Sequence, residues 1–228
     1  MGKYKFLLFD LDDTLLDFSA AEDFALHRLF EEEGLILTKE IEETYRQINS
    51  SLWRKFEEGA ITRDEVTSTR FAKLFSLYGK QVDGKLFDDK YRNHLAECKV
   101  FIDGAWELIN DFATKYQLYI VTNGVSATQY KRLDITGLAP LFHKVFVSED
   151  TGFQKPMLGF FDYVFDRIPN FKKEEALIIG DSFSADIIGG INAGIDTCWL
   201  NRFHKVNETD QKPTYEIQHL QQLYTILK

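Results

Sequence analysis

Three carboxylates fall within four positions in the stretch Phe9-Asp10-Leu11-Asp12-Asp13-Thr14-Leu15-Leu16. Like charges this close repel one another and raise one another's pKa values unless a cation sits among them. An apolar run over residues 4–9 leads into them and reads as a short buried strand. Residues two apart on an extended strand end face the same side, so Asp10 and Asp12 lean together while Asp13 leans away. Such a pair suits a Mg²⁺ site at the C-terminal end of a strand, where α/β folds place their chemistry. A strand that simply runs into an acidic loop or helix cap has the same composition. Three later stretches add other chemistries. Thr122-Asn123-Gly124 offers a hydroxyl and an amide for neutral hydrogen bonds to phosphate oxygens, and is also ordinary turn material. Lys155, held between Gln154 and Pro156, can present a point charge to an anion, or be a plain loop residue. Gly180-Asp181-Ser182 with Asp186 places two more carboxylates at and just past a strand end, or marks a helix cap. Each stretch alone is common. Their order, with each tied to a predicted strand end or nearby loop, is specific.

The elements that must position these residues follow from periodicity. Residues 17–97 are charged and helical, without a convincing strand. Ser19 with Glu22 reads as a capping box, and so does Thr62 with Glu65; Thr38 can cap a helix between them. A fourth helix is expected over residues 86–97. Beyond residue 98 the pattern alternates. Helices are expected at 104–116, through Tyr130 and Leu133, at 158–168, at 186–193 and at 219–227, with strands at 118–121, 145–147, 176–179 and 197–200. Strands separated by helices imply right-handed βαβ units and a parallel sheet. The expected architecture is α/β: a Rossmann-like parallel-sheet core built from 1–16 plus 98–228, with a four-helix cap subdomain, 17–97, inserted after the first strand.

Composition narrows the function classes. The 228 residues, 44% hydrophobic with 20 Phe and 10 Tyr, can build an aromatic core. A formal charge of −9 argues against a nucleic-acid polymer as partner but leaves room for a small phosphorylated ligand. Cys98 and Cys198 are too few for a disulfide framework and are not spaced as a metal knuckle, so a reducing cytoplasm is the expected setting. Neither a signal peptide nor a transmembrane-length apolar stretch is expected, hence no membrane partner.

Asp10-Leu11-Asp12-Asp13-Thr14, Thr122, Lys155, and Gly180-Asp181 with Asp186 together resemble the four motifs of the haloacid dehalogenase superfamily of aspartyl-phosphate hydrolases. The resemblance covers essentially the whole chain, and the helical insert lies where that superfamily's first cap type sits. The wording D-L-D-D-T-L, V-T-N-G, G-F-Q-K-P and G-D-S looks most like the pyrimidine-nucleotide 5′-nucleotidase branch. One departure is that Met157-Leu158-Gly159 follow Lys155-Pro156, where relatives often carry an acidic residue. Lys155 thereby lacks its usual nearby carboxylate in sequence.

The resemblance implies a Mg²⁺-dependent phosphomonoesterase with catalytic Asp10 and Asp12. Asp10 is the implied nucleophile. Asp12 is the acid that protonates the leaving group and then the base that activates water. The metal would be held by Asp10, the backbone carbonyl of Asp12, and Asp181, with Asp186 behind them. Thr122, Asn123 and Lys155 would bind phosphate. The implied substrates are small phosphorylated metabolites, nucleoside 5′-monophosphates above all. A sugar phosphatase or phosphomutase of the same superfamily is the alternative, and a non-catalytic phospho-ligand sensor a more distant one. The dehalogenases lack the acid that Asp12 provides. Phe18, Trp53, Arg54, Lys55 and Phe56 are candidate cap lining, with core packing the simpler reading of Trp53 and Phe56. Arg63 fits a solvated helix–helix turn better than a mutase cap group.

Overall fold

Four apolar residues in a row, all fully buried, make β1 (Phe6–Phe9), a strand with no solvent face. The computed structural model describes residues 2–227. Four helices follow β1: α1 (Phe18–Glu32), α2 (Lys39–Glu57), α3 (Arg63–Leu77) and α4 (Gly84–Leu95). An alternating series completes the chain: α5 (Ala105–Phe112), β2 (Gln117–Thr122), α6 (Ser126–Thr136), β3 (Lys144–Val147), α7 (Ser148–Thr151), α8 (Leu158–Phe165), β4 (Ala176–Gly180), α9 (Gly189–Ala193), β5 (Asp196–Leu200), β6 (Tyr215–Ile217) and α10 (Leu223–Ile226). Two compact units result. One comprises the residues up to Phe18 with those from Lys99 onward, and the other is Ser19–Cys98.

In the first unit six strands form one parallel sheet in the order β3-β2-β1-β4-β5-β6. This is the expected Rossmann-like α/β architecture. Alternate residues of each strand serve opposite faces. Leu7, Phe9, Leu118, Ile120, Leu177 and Ile179 pack with Leu108 and Phe112 of α5, Leu133 of α6 and Leu223 of α10. On the other face Phe6, Leu8, Tyr119, Val121 and Ile178 pack with Phe160, Phe161 and Val164 of α8. Phe9 is level with Ile120 of β2 and Ile179 of β4. The strand order switches sides at β1, with β2 and β3 added on one side and β4, β5 and β6 on the other, so the crevice beyond the carboxyl ends of β1, β2 and β4 is where such folds bind ligands.

The C-terminal end of this unit differs from expectation in two ways. A sixth strand, β6, pairs with the edge of β5; its three residues are too few to show a period. The closing helix is correspondingly shorter: a 3₁₀ turn at Leu220–Gln222 precedes α10.

In the helical unit, Thr38 caps α2 through the Ile41 N–H, and Thr62 with Glu65 forms the full capping box of α3. The box expected at Ser19–Glu22 gives way to a tertiary bond. The helix already starts at Phe18, and the Glu22 carboxylate, 6% exposed, accepts from Asn49 Nδ2 at 2.9 Å. Asn49 Oδ1 takes a bond from Arg70 Nη1 at 3.0 Å, and Arg70 Nε donates to Asp88 at 2.6 Å. These buried polar groups satisfy one another, and the Arg70 guanidinium lies over the Tyr91 ring, 4.7 Å from its centroid. Phe56 is core with Leu52 and Val66, Trp53 packs against that cluster, and the Arg63 guanidinium lies over the Phe56 ring. Among the described residues no helix is long and apolar enough to cross a membrane.

Candidate active site

Asp10 is the first residue past β1, and its N–H continues the ladder by donating to the Ile179 carbonyl at 2.9 Å. Its side chain is 10% exposed. Asp13 then turns the chain with φ 56°, a left-handed conformation that Asp tolerates better than most residues, and its carboxylate accepts the Phe18 N–H at 3.1 Å. Thr14, fully buried, sits back over the strand end. Its hydroxyl lies 3.3 Å from Asp10 Oδ2 and accepts the Asp181 N–H at 3.1 Å, tying the first loop to the one after β4.

Lys155 enters from the loop before α8. Its ammonium donates to Asp10 Oδ1 at 2.8 Å, Asp186 Oδ1 at 2.6 Å and the Val121 carbonyl at 2.7 Å, and the residue is 1% exposed. With Met157-Leu158-Gly159 after Pro156, Lys155 still has carboxylate partners, supplied by Asp10 just past β1 and Asp186 in the turn beyond β4 instead of its own loop. Asn123 fixes the approach. Its amide donates to the Lys155 carbonyl and accepts the Lys155 N–H, both at 2.9 Å. The Asn123 side chain, expected among the phosphate-binding groups, is thus engaged in holding the lysine backbone. The Thr122 hydroxyl, 1% exposed, accepts from the Gly124 N–H at 3.2 Å and from Gln129 Nε2 at 2.9 Å.

Beyond β4 the chain winds one wide turn of π pitch, Phe183–Ile188, capped by Ser182, whose hydroxyl accepts the Ala185 N–H. The helix expected to start at Asp186 therefore starts earlier, and Asp186 sits inside the turn with no exposed surface. Its Oδ2 accepts the Ser182 N–H at 3.1 Å. A Cβ on Gly180 would lie 2.1 Å from that same Oδ2, so a strand end without a side chain is what lets Asp186 fold back. The Asp181 carbonyl accepts from the Trp199 indole at 2.9 Å.

Asp10, Asp181 and Asp186 each place a carboxylate oxygen within 4.8 Å of the others. Asp186, expected behind the ligands, belongs to this cluster. Burial pushes Asp10 up to about 7; Lys155 opposes that shift and Asp186 and Asp12 add to it. Burial, then Asp10 and Asp186, holds Asp181 well above the usual carboxylate range. For Lys155 burial works against the charge, but the two carboxylates outweigh it and keep the ammonium firmly protonated. Three carboxylates facing one ammonium leave a surplus of negative charge in a buried oxygen-rich site, which fits a hard divalent cation.

Asp12 points elsewhere. Its Oδ2 accepts from Gln129 Nε2 at 2.7 Å, and its Oδ1 is paired with Arg132 Nη1. Neither partner was expected from sequence. A Gln and an Arg three apart on a helix read as a solvated face, and only their burial, at 2% and 1% exposure, sets them apart. Lys205, also unforeseen, brings an exposed ammonium to 3.9 Å from Asp181 Oδ2.

Comparison with known proteins places this geometry in context. Residues 7–200 match the model of the haloacid dehalogenase-like hydrolases. YfnB of Bacillus subtilis, named as a HAD-hydrolase, is 56% identical over 227 residues, covering 100% of this chain and 97% of its own. The crystal structure of YfnB bound to magnesium superposes with a TM-score of 0.95 over 99% of both chains. PynA of Streptococcus pneumoniae, a pyrimidine 5′-nucleotidase, is 44% identical over 98% of this chain and 95% of its own. YjjG of Escherichia coli, likewise named a pyrimidine 5′-nucleotidase, is 34% identical over 99% of this chain and 98% of its own.

Proposed function

This chain belongs to the haloacid dehalogenase-like hydrolase family, and on that premise we propose that it is a Mg²⁺-dependent phosphomonoesterase acting on small phosphate monoesters, nucleoside 5′-monophosphates in particular. The observation that carries this reading is Asp10 itself: a buried carboxylate at the end of β1, clustered with Asp181 and Asp186 and backed by the Lys155 ammonium.

Asp10 is the nucleophile. Its carboxylate attacks phosphorus, the ester oxygen leaves, and an aspartyl-phosphate forms on the side chain. Magnesium, held by Asp10, Asp181 and the main-chain carbonyl of Asp12 with Asp186 at their back, would supply neutralisation of the phosphate charge that otherwise repels the nucleophile. Lys155 stabilises the charge that builds up between Asp10 and the phosphoryl group. Thr122 offers its hydroxyl proton to a phosphoryl oxygen, and Asn123 acts by keeping Lys155 in register. Asp12 enters this step protonated, gives that proton to the departing alkoxide and is left as the carboxylate that Gln129 and Arg132 hold; it then takes a proton from the water that cleaves the aspartyl-phosphate, which restores the acid. The helical unit is assigned as the specificity cap.

The test is phosphate release from a panel of monophosphates with Mg²⁺, run beside Asp10→Asn. Pyrimidine nucleoside monophosphates leading the panel, with Asp10→Asn inactive, supports the whole reading. Sugar phosphates leading would overturn the substrate class and keep the chemistry. An isomerised phosphate in place of free phosphate would make the protein a mutase.

A further inference from the structure

Gln129 and Arg132 stand on one face of α6, both buried, and both turn to Asp12. We propose that they are positioning residues for the acid–base step: together they fix where the Asp12 carboxylate points and tie it to the phosphate-binding Thr122. The proposal rests on the phosphomonoesterase reading above.

Four observations carry it. First, the hold is two-pronged. Gln129 Nε2 takes Oδ2 at 2.7 Å and Arg132 Nη1 takes Oδ1, so rotation of the carboxylate about its own bond is blocked at both oxygens. Second, the same Gln129 Nε2 reaches Thr122 Oγ1 at 2.9 Å, and Gln129 Oε1 accepts from Arg132 Nη1 at 3.2 Å. One amide thus links the acid–base group, the guanidinium and the end of β2. Third, room is made for it. A Cβ on Gly124 would lie 2.4 Å from Gln129 Nε2 and 2.5 Å from its Cδ, so the glycine of the Thr-Asn-Gly turn is the space the amide passes through. Fourth, the arrangement is a poor way to build stability. The Asp12 side chain keeps 28% of its surface in solvent and needs no buried partner, whereas Arg132 is 1% exposed and leaves its Nε without a hydrogen-bond partner among the described residues. Burying a guanidinium to hold a partly exposed carboxylate is costly for the fold and useful to a carboxylate that must meet a leaving oxygen at a set angle.

Leaving-group dependence separates positioning from a merely structural role. Because kcat/KM reads events only up to departure of the leaving group, it isolates the proton donation from the later hydrolysis of the aspartyl-phosphate. An alkyl monophosphate such as uridine 5′-monophosphate must expel an alkoxide and needs the proton; p-nitrophenyl phosphate expels a stable phenolate and does not. In Gln129→Leu, kcat/KM for the alkyl ester should fall on the order of 30-fold or more, with the loss in kcat, while p-nitrophenyl phosphate falls less than about fivefold. Asp12→Asn should show the same bias more strongly. Arg132→Met should follow Gln129→Leu, and Arg132→Lys should restore part of the alkyl rate. If Arg132→Met does not fold, Gln129→Leu decides alone. Equal losses on both substrates would overturn the proposal. A wild-type protein that releases no phosphate, or an active Asp10→Asn, would instead overturn the phosphomonoesterase reading.

Discussion

Replacing Lys155 by Met removes the ammonium that faces Asp10 and Asp186 while roughly keeping the volume of a side chain that is 1% exposed. Three hydrogen bonds go with it, two to carboxylates and one to the Val121 carbonyl. Deleting one partner of a buried ion pair typically costs about 3–5 kcal/mol, because the charge left behind is uncompensated. In a chain of this size 1 kcal/mol moves the melting temperature by about 2–4 °C, so a loss of about 6–20 °C is expected at pH 8 in the absence of metal. The loss should shrink at lower pH. Asp10, already raised to about 7 with the lysine present, moves higher without it and takes up a proton that removes the unpaired charge. Adding Asp186→Asn should recover more than half of the lost stability, since it neutralises one of the two stranded carboxylates, and should recover none of the activity. Thermal denaturation by circular dichroism in EDTA at pH 6 and 8, with phosphate release assayed in parallel, reads all of these. A Lys155→Met protein melting within about 2 °C of wild type at pH 8, or a double variant no more stable than the single one, would refute the account of Lys155 as the counter-charge of this site.

Gly180→Ala forces Asp186 off the strand end, because the new Cβ would meet its carboxylate at 2.1 Å; the Mg²⁺ concentration giving half-maximal activity should rise about tenfold or more, against a stability loss of about 1–3 kcal/mol measured in denaturant. In the helical unit, burial raises Glu22 from its ordinary 4.5 to about 7, so the folded chain binds a proton there that the unfolded chain has already lost. Its contribution therefore falls as pH rises from about 4.5 to about 7, by at most about 3 kcal/mol at 1.36 kcal/mol per unit. Glu22→Gln, which keeps the neutral form and the bond from Asn49, should be more stable than wild type at pH 8 and little different at pH 4.5. A stability difference that does not change between those pH values would rule this out.

How much of this could be read from sequence depends on whether the deciding contact is local. The Asp10 stretch, Thr38, and Thr62 with Glu65 were legible because strand ends and helix caps are set by neighbours within a few residues. Glu22 carries the same local signature as Glu65, yet Asn49, far along the chain, takes it as a partner. Lys155 is legible as a cation in a loop, but its carboxylates, Asp10 and Asp186, come from elsewhere in the chain, so the acidic residue missing after Pro156 does not leave it without a carboxylate partner. Gln129 and Arg132 gave no signal at all. Their meaning arises only when β1 and β2 lie side by side and bring Asp12 to α6. The three residues of β6 fall below the length at which alternation can be recognised, and their place is set by the free edge of β5.

The two strands of chain that lead into and out of the helical unit are themselves bonded together. Leu16 bridges Phe101, the Ile102 N–H meets the Leu15 carbonyl at 2.9 Å, and the Asp17 N–H meets the Val100 carbonyl at 3.0 Å. The sheet unit therefore closes its own circuit before the first helix begins, and eighty residues hang from two adjacent sockets. The ends of a loop so joined cost only logarithmically more to hold as the loop lengthens. Whatever is plugged in there can be lengthened, rebuilt or exchanged while Asp10, Lys155 and Asp181 keep their places; with the helical unit in the proposed role of specificity cap, substrate range could drift in one part of the gene while the proposed chemistry stays fixed in the other.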